Sequence, residues 1–128
     1  MIDVNNDNVS SLALAYLGDS IYEIYIRAYL INKGIAKMKD FQTEAIKYVS
    51  AKNQTVFLNE MIDNNFLTEQ ELEIVYRARN HKSNHKPKNT DIITYKYATG
   101  FEAIIGYLYL KNDIKRVEEL IEYCKRGE

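Results

Sequence analysis

The stretch LAYLGDSIYEIYIR, residues 14–27, is a nearly continuous apolar and aromatic run that encloses Gly18 and Asp19. It predicts a helix from about Val9 to Asn32 that is apolar on nearly all sides, whereas a surface helix carries one apolar stripe. One side therefore meets the core. We expect the other side to meet a second copy, with Tyr22 and Ile26 near the interface of a two-fold symmetric homodimer. A central helix buried within one subunit is the alternative interpretation.

The rest of the chain also indicates helices, with a single proline and no strong β-hairpin signal. The predicted landmarks are a second helix from near Asp40, a third after Ser50, a fourth behind a Thr68–Glu71 capping box, a fifth from Thr90–Asp91 to about Leu110, and a sixth capped by Asp113. With 128 residues, 46% of them hydrophobic, the chain can bury a real core. We predict one all-α domain over residues 1–128.

The overall composition limits where the protein works. A single cysteine, Cys124, excludes an intramolecular disulfide and fits a reducing compartment. The opening MIDVNNDNVS lacks the pattern of a secretory signal, and the run AIIGYLYL is too short to span a bilayer. We therefore expect a cytoplasmic protein without a membrane partner. The net charge of −1 neither favours nor excludes nucleic acid, so any basic patch must be local.

Two carboxylates stand among apolar residues. Asp19 lies in the first stretch, and Glu102 lies in ATGFEAIIGYLYL, residues 98–110. Helical spacing places each acid on a largely apolar stripe, where an unpartnered charge costs several kcal/mol. The partner could be a basic residue, a hydrogen-bond network or a metal ion, and spacing alone leaves these open. Mg²⁺ would suit two carboxylates completed by waters and a substrate phosphate.

The segment IVYRARNHKSNHKPKNT, residues 74–90, concentrates cations without any acid. Its candidate phosphate-binding residues are Arg77, Arg79, Asn80, Lys82, Lys86 and Lys88. Cations with amide and hydroxyl donors suit the backbone of a nucleic acid. The alternative interpretation is a solvated loop whose charge only aids solubility.

The two acidic stretches together resemble the ribonuclease III family. Its signature contains a Leu-Gly-Asp-Ser core, here residues 17–20, and its second acidic motif is matched by FEAIIG, residues 101–106. The order of the motifs, their helical context and the intervening basic segment also agree. Together with RARN…PKNTD…TYKYATGFEA, they are similar to the Mini-ribonuclease III branch, which has no double-stranded-RNA-binding domain. The resemblance implies an all-α, dimeric, ribonuclease III-like helical bundle.

The resemblance also implies a mechanism. Asp19 and Glu102 would converge, hold Mg²⁺ and serve as the catalytic residues. The enzyme would cleave double-stranded RNA with metal-activated water and leave 5′-phosphate and 3′-hydroxyl ends. It would act in the bacterial cytoplasm on precursor large-subunit (23S) ribosomal RNA. Whether a ribosomal protein assists cleavage stays open.

The chain departs from the wider family at two positions. Ala15 and Thr99 stand where two further acids are usual, which leaves two of four carboxylates. Weaker metal binding follows, and a two-metal arrangement becomes doubtful, although the Mini-ribonuclease III branch shares this reduced set. One alternative is a catalytically weak RNA-binding factor of ribosome assembly on the same fold. Another is a helical adaptor that uses only its first helix, against which the basic segment argues.

Overall fold

A computed structural model describes residues 9–81 and 91–126, and these form helices without strands. The helices are α1 (Ser11–Asn32), α2 (Met38–Val49), α3 (Ala51–Asp63), α4 (Glu69–Arg79), α5 (Ile92–Leu110) and α6 (Ile114–Cys124). The predicted all-α class is confirmed. Helix α5 is central and packs against α1, α3, α4 and α6. Within the described residues, no helix is long and apolar enough to cross a membrane.

Local side-chain chemistry sets most of the helix starts. Ser50 caps α3 by accepting from the Asn53 amide at 3.2 Å, and Asp113 caps α6 in the same way. Thr68 and Glu71 form the predicted capping box. These caps satisfy amides that the first helical turn leaves without partners. Helix α2 begins at Met38, two residues before the predicted start, without a side-chain cap.

Helices α1 and α5 cross with their backbones almost in contact. A methyl group on Gly18 would overlap the carbonyl oxygen of Glu102, and one on Gly106 would overlap the carbonyl oxygen of Leu14. Any larger residue at either glycine would force the two helices apart. The glycines therefore set the spacing of the crossing, and Asp19 and Glu102 lie beside it because each neighbours one of these contacts.

The core corrects one prediction about α1. Tyr22 and Ile26 are both 0% exposed inside a single subunit. Tyr22 packs edge-on against Phe101, with ring centroids 5.1 Å apart, and its hydroxyl donates to the carbonyl oxygen of Tyr48 at 2.9 Å. The prediction that these two side chains lie at a dimer interface is wrong, because neither reaches the surface. For them, the alternative of a helix buried within the monomer holds.

A buried ion pair ties α6 to the start of α4. Arg116 donates through Nε and Nη2 to the two carboxylate oxygens of Glu71, each at 2.8 Å, and Nη2 also reaches the carbonyl oxygen of Phe66 at 2.6 Å. Glu71 is itself part of the capping box with Thr68. The guanidinium holds the pKa of Glu71 below its usual range against the opposing effect of burial. One network therefore fixes a helix start and a helix packing contact together.

Candidate active site

The structure brings Asp19 and Glu102 together at the α1–α5 crossing. Asp19 follows Gly18, and Gly18 faces the backbone of Glu102. The two carboxyl groups lie within hydrogen-bonding reach of each other. Asp19 is exposed and Glu102 is partly buried, so the pair opens toward solvent from the Asp19 side. The convergence implied by the family resemblance is present; the catalytic and metal-binding roles of the two residues stay predictions.

The pair is short of positive charge. Burial raises the pKa of Glu102 to about 9, and the hydrogen bond and negative charge of Asp19 add to that effect. Burial and the neighbouring carboxyl group both disfavour the charged form of Glu102, so Glu102 keeps its proton near neutral pH. A bound cation would favour the charged form of Glu102 and so displace this proton. A basic residue was one of the possible partners of these acids, but no described basic residue pairs with Asp19 or Glu102.

The donor set fits a hard divalent cation. Within the described residues, no group of three or more His, Cys, Asp or Glu side chains could hold a metal. Mg²⁺ commonly takes only one or two protein carboxylates and keeps several waters for its other positions. Ala15 and Thr99, which replace the family's other acids, are both buried, and the Thr99 hydroxyl donates to its own helix at the Tyr95 carbonyl. Asp19 and Glu102 are thus the two anionic donors available here.

Two further side chains lie beside this pair, and the sequence predicted a site role for neither of them. Glu23 lies one helical turn beyond Asp19, adds to the raised pKa of Glu102, and is paired with Arg27 at 2.8 Å. Gln54 comes from α3, and its amide favours the charged form of Glu102. The spacing to Asp19 could have indicated Glu23. No local signal distinguishes Gln54, because it reaches the pair only through the packing of α3.

The predicted phosphate-binding residues differ in where the structure places them. Lys82, Lys86 and Lys88 lie outside the described residues. Arg77 is exposed and reaches Glu73 in its own helix at 3.4 Å. Asn80 ends α4 and accepts a hydrogen bond from Arg79 Nε at 3.1 Å. Arg79 pairs with no carboxylate among the described residues and is the strongest of the described candidates.

Two tyrosines hold the Arg79 guanidinium. It lies 4.5 Å from the ring centroid of Tyr76 and 5.5 Å from that of Tyr97, and Nη1 donates to the Tyr97 hydroxyl at 3.4 Å. Tyr97 belongs to α5, the helix that carries Glu102. Aromatic faces attract a cation without neutralising it. Arg79 is therefore held by two aromatic rings and has no carboxylate partner among the described residues, which suits a contact with an anion.

Comparisons with known proteins identify the family of this chain. The ribonuclease III domain family matches residues 12–113. Mini-ribonuclease 3 of Streptococcus pneumoniae is 46% identical over 97% of this chain and 95% of its own length. Mini-ribonuclease 3 of Enterococcus faecalis is 48% identical over 94% of this chain and 92% of its own length. The crystal structure of protein FN1578 from Fusobacterium nucleatum superimposes with a TM-score of 0.83 at 33% identity, covering 94% of each chain. The chain therefore belongs to the ribonuclease III family of RNA-cleaving hydrolases.

Proposed function

We propose that this ribonuclease is a Mg²⁺-dependent endonuclease that cuts both strands of duplex RNA and leaves 5′-phosphate and 3′-hydroxyl ends. The observation that carries the proposal is the meeting of Asp19 and Glu102 at a place where no described basic residue pairs with either acid. Structural carboxylates at such a crossing would be expected to have a cationic partner. None of the described residues supplies one.

In this mechanism Asp19 and Glu102 hold the cation through their carboxylate oxygens. When bound, Mg²⁺ supplies polarisation of the scissile phosphate and a more acidic water as nucleophile. Glu102 would release its proton to serve as an anionic ligand, so metal binding and proton release would be coupled. The close backbone contact at Gly18 fixes the separation of the two acids, because neither helix can move without opening the crossing.

Arg79 would contact the RNA backbone beside this site, together with Arg77, Asn80 and Lys82, Lys86 and Lys88 of the following segment. An ordered guanidinium that keeps its charge suits phosphate oxygens. Contacts of this kind carry no sequence information. Recognition would then depend mostly on the shape, phosphates and 2′-hydroxyls of an A-form duplex.

Two copies would act together as a symmetric homodimer. Helix α1 exposes large apolar side chains on the side away from the core: Leu12, Tyr16, Ile24 and Ile31, of which Tyr16 is 82% exposed. Leu12, Tyr16, Ser20 and Ile24 follow one another at four-residue steps and Ile31 lies seven residues further on, so they share one side of the helix. A second copy of the same stripe is a self-complementary partner, as two-fold symmetry requires. This stripe replaces Tyr22 and Ile26 as the proposed interface.

The substrate we propose is precursor large-subunit (23S) ribosomal RNA in the cytoplasm, and a ribosomal protein is the candidate assisting partner. The support is membership of the ribonuclease III family together with the two Mini-ribonuclease 3 relatives. The competing proposal is a catalytically weak RNA-binding factor of ribosome assembly on the same fold; Asp19 and Glu102, which are both present, are the residues that separate the two proposals.

Cleavage of a long RNA duplex by purified protein separates these proposals. We expect Mg²⁺-dependent cutting by the wild type and none by Asp19→Asn or Glu102→Gln, while both variants still bind the duplex. The matched control is Glu69→Gln, which removes one exposed carboxylate at the start of α4. Duplex binding without cleavage at any Mg²⁺ concentration would favour the assembly factor. Normal cleavage by either folded site variant would refute the site.

A further inference from the structure

Gln54 of α3 is a buried polar side chain that lacks an ordinary partner. It is 2% exposed, and its Nε2 makes no hydrogen bond of standard geometry to any residue in 9–81 or 91–126. Two other buried polar residues are satisfied: Glu71 by Arg116, and Thr99 by the carbonyl oxygen of Tyr95. An unsatisfied buried amide donor costs about 1–3 kcal/mol. Its presence here therefore requires a physical reason.

The Gln54 side chain lies beside the carboxyl group of Glu102. A lysine or arginine at this position would repel a divalent cation through its charge. An amide donates hydrogen bonds and carries no net charge. It can therefore steady a carboxylate without competing with the cation for it.

We infer that Gln54 is a positioning residue of the active site, whose free amide donor is placed to orient the Glu102 carboxylate for a divalent cation. The inference rests on the proposed Mg²⁺ site and extends it from two helices to three. Partners of this kind, which contact a metal ligand and not the metal, commonly change metal affinity by 10–100-fold when they are removed. The competing explanation is that Gln54 only fills space where α3 packs on α5.

Gln54→Met separates the two explanations, because methionine has similar length and volume but no amide. The control is Thr55→Val, which removes a neighbouring α3–α5 hydrogen bond, from the Thr55 hydroxyl to the Thr94 carbonyl at 3.0 Å. The measurement is an NMR-monitored titration of the RNA-free proteins with MgCl₂, alongside melting curves and the Mg²⁺ midpoint of duplex cleavage.

We expect Gln54→Met to fold, to bind Mg²⁺ at least tenfold more weakly than the wild type, and to need correspondingly more Mg²⁺ for cleavage. Thr55→Val should leave the Mg²⁺ affinity unchanged, and its only effect should be a lower melting temperature. A folded Gln54→Met protein with wild-type Mg²⁺ affinity would overturn the inference and leave the proposed function standing. A wild type that cuts no duplex RNA would instead refute the proposed function.

Gln54→Glu tests the same inference if the methionine variant does not fold. It keeps the shape of the side chain and directs a third carboxylate at Glu102, so Mg²⁺ should bind at least severalfold more tightly than in the wild type. The variant should also gain more in melting temperature from added Mg²⁺. Unchanged Mg²⁺ affinity in Gln54→Glu would mean that residue 54 does not face the cation's ligands, and the inference would be wrong.

Discussion

Glu102→Gln should make the metal-free protein more stable at neutral pH, although it removes a residue of the proposed active site. The pKa of Glu102 rises from 4.5 to about 9 in the folded protein, chiefly through burial and then through Asp19. Between these values the folded protein holds a proton that the unfolded chain has released. Raising the pH through this window therefore lowers the free energy of unfolding. Glutamine is neutral at every pH and removes that dependence.

The size of this stabilisation follows from the interval between the unfolded and folded pKa values of Glu102. The free-energy cost of keeping Glu102 grows by about 1.4 kcal/mol per pH unit above the unfolded pKa, so it reaches about 3 kcal/mol at pH 7. For a domain of 128 residues, 1 kcal/mol corresponds to roughly 4 °C in melting temperature. In EDTA, Glu102→Gln should melt close to the wild type at pH 4.5 and about 10 °C above it at pH 7.

Circular dichroism melting at several pH values measures this difference, with Glu69→Gln as the control for loss of an exposed acid. Added Mg²⁺ should raise the melting temperature of the wild type and leave Glu102→Gln nearly unchanged, because the variant lacks one of the two anionic ligands. Parallel curves for wild type and Glu102→Gln from pH 4.5 to 7 would show that the pKa of Glu102 is not raised in the folded protein. The account of the site as short of positive charge would then be refuted.

The remaining predictions concern the crossing, the core, the RNA contact and the interface. Gly18→Ala should destabilise the protein by about 3 kcal/mol in urea unfolding and abolish cleavage, because its methyl group would push α1 away from Glu102; wild-type stability would contradict the close crossing. Arg116→Met should cost about 3–5 kcal/mol because it leaves a buried carboxylate without its cation; a loss below 1 kcal/mol would mean that the ion pair contributes little. Arg79→Ala should weaken duplex binding and reduce the slope of log affinity against log salt by about 1, and an unchanged slope would exclude a phosphate contact. Tyr16→Asp should yield a folded monomer by light scattering, whereas a dimer of normal affinity would place the interface elsewhere.

Much of the secondary structure could be predicted because it depends on chemistry within a few residues. Ser50, the Thr68–Glu71 box and Asp113 cap helices where the sequence places them. The start of α2 was less predictable, because it has no side-chain cap to mark it. The sequence shows that α1 is apolar on several faces, but it does not show which face packs against the core. Tyr22 and Ile26 turned out to face the core, because α2 and α5 pack over that side.

The two acidic stretches, their order, and hence the family and the pair Asp19 and Glu102 can be read from the sequence alone. The physical state of the pair depends on how the helices pack. The raised pKa of Glu102 results from its burial and from the nearby Asp19 carboxyl group, and both are set by the crossing of α1 over α5 at Gly18 and Gly106. Gln54 joins the site for the same reason, since the packing of α3 brings its amide to Glu102. Separation, burial and packing are relations between helices distant in the chain, and no local pattern of residues encodes them.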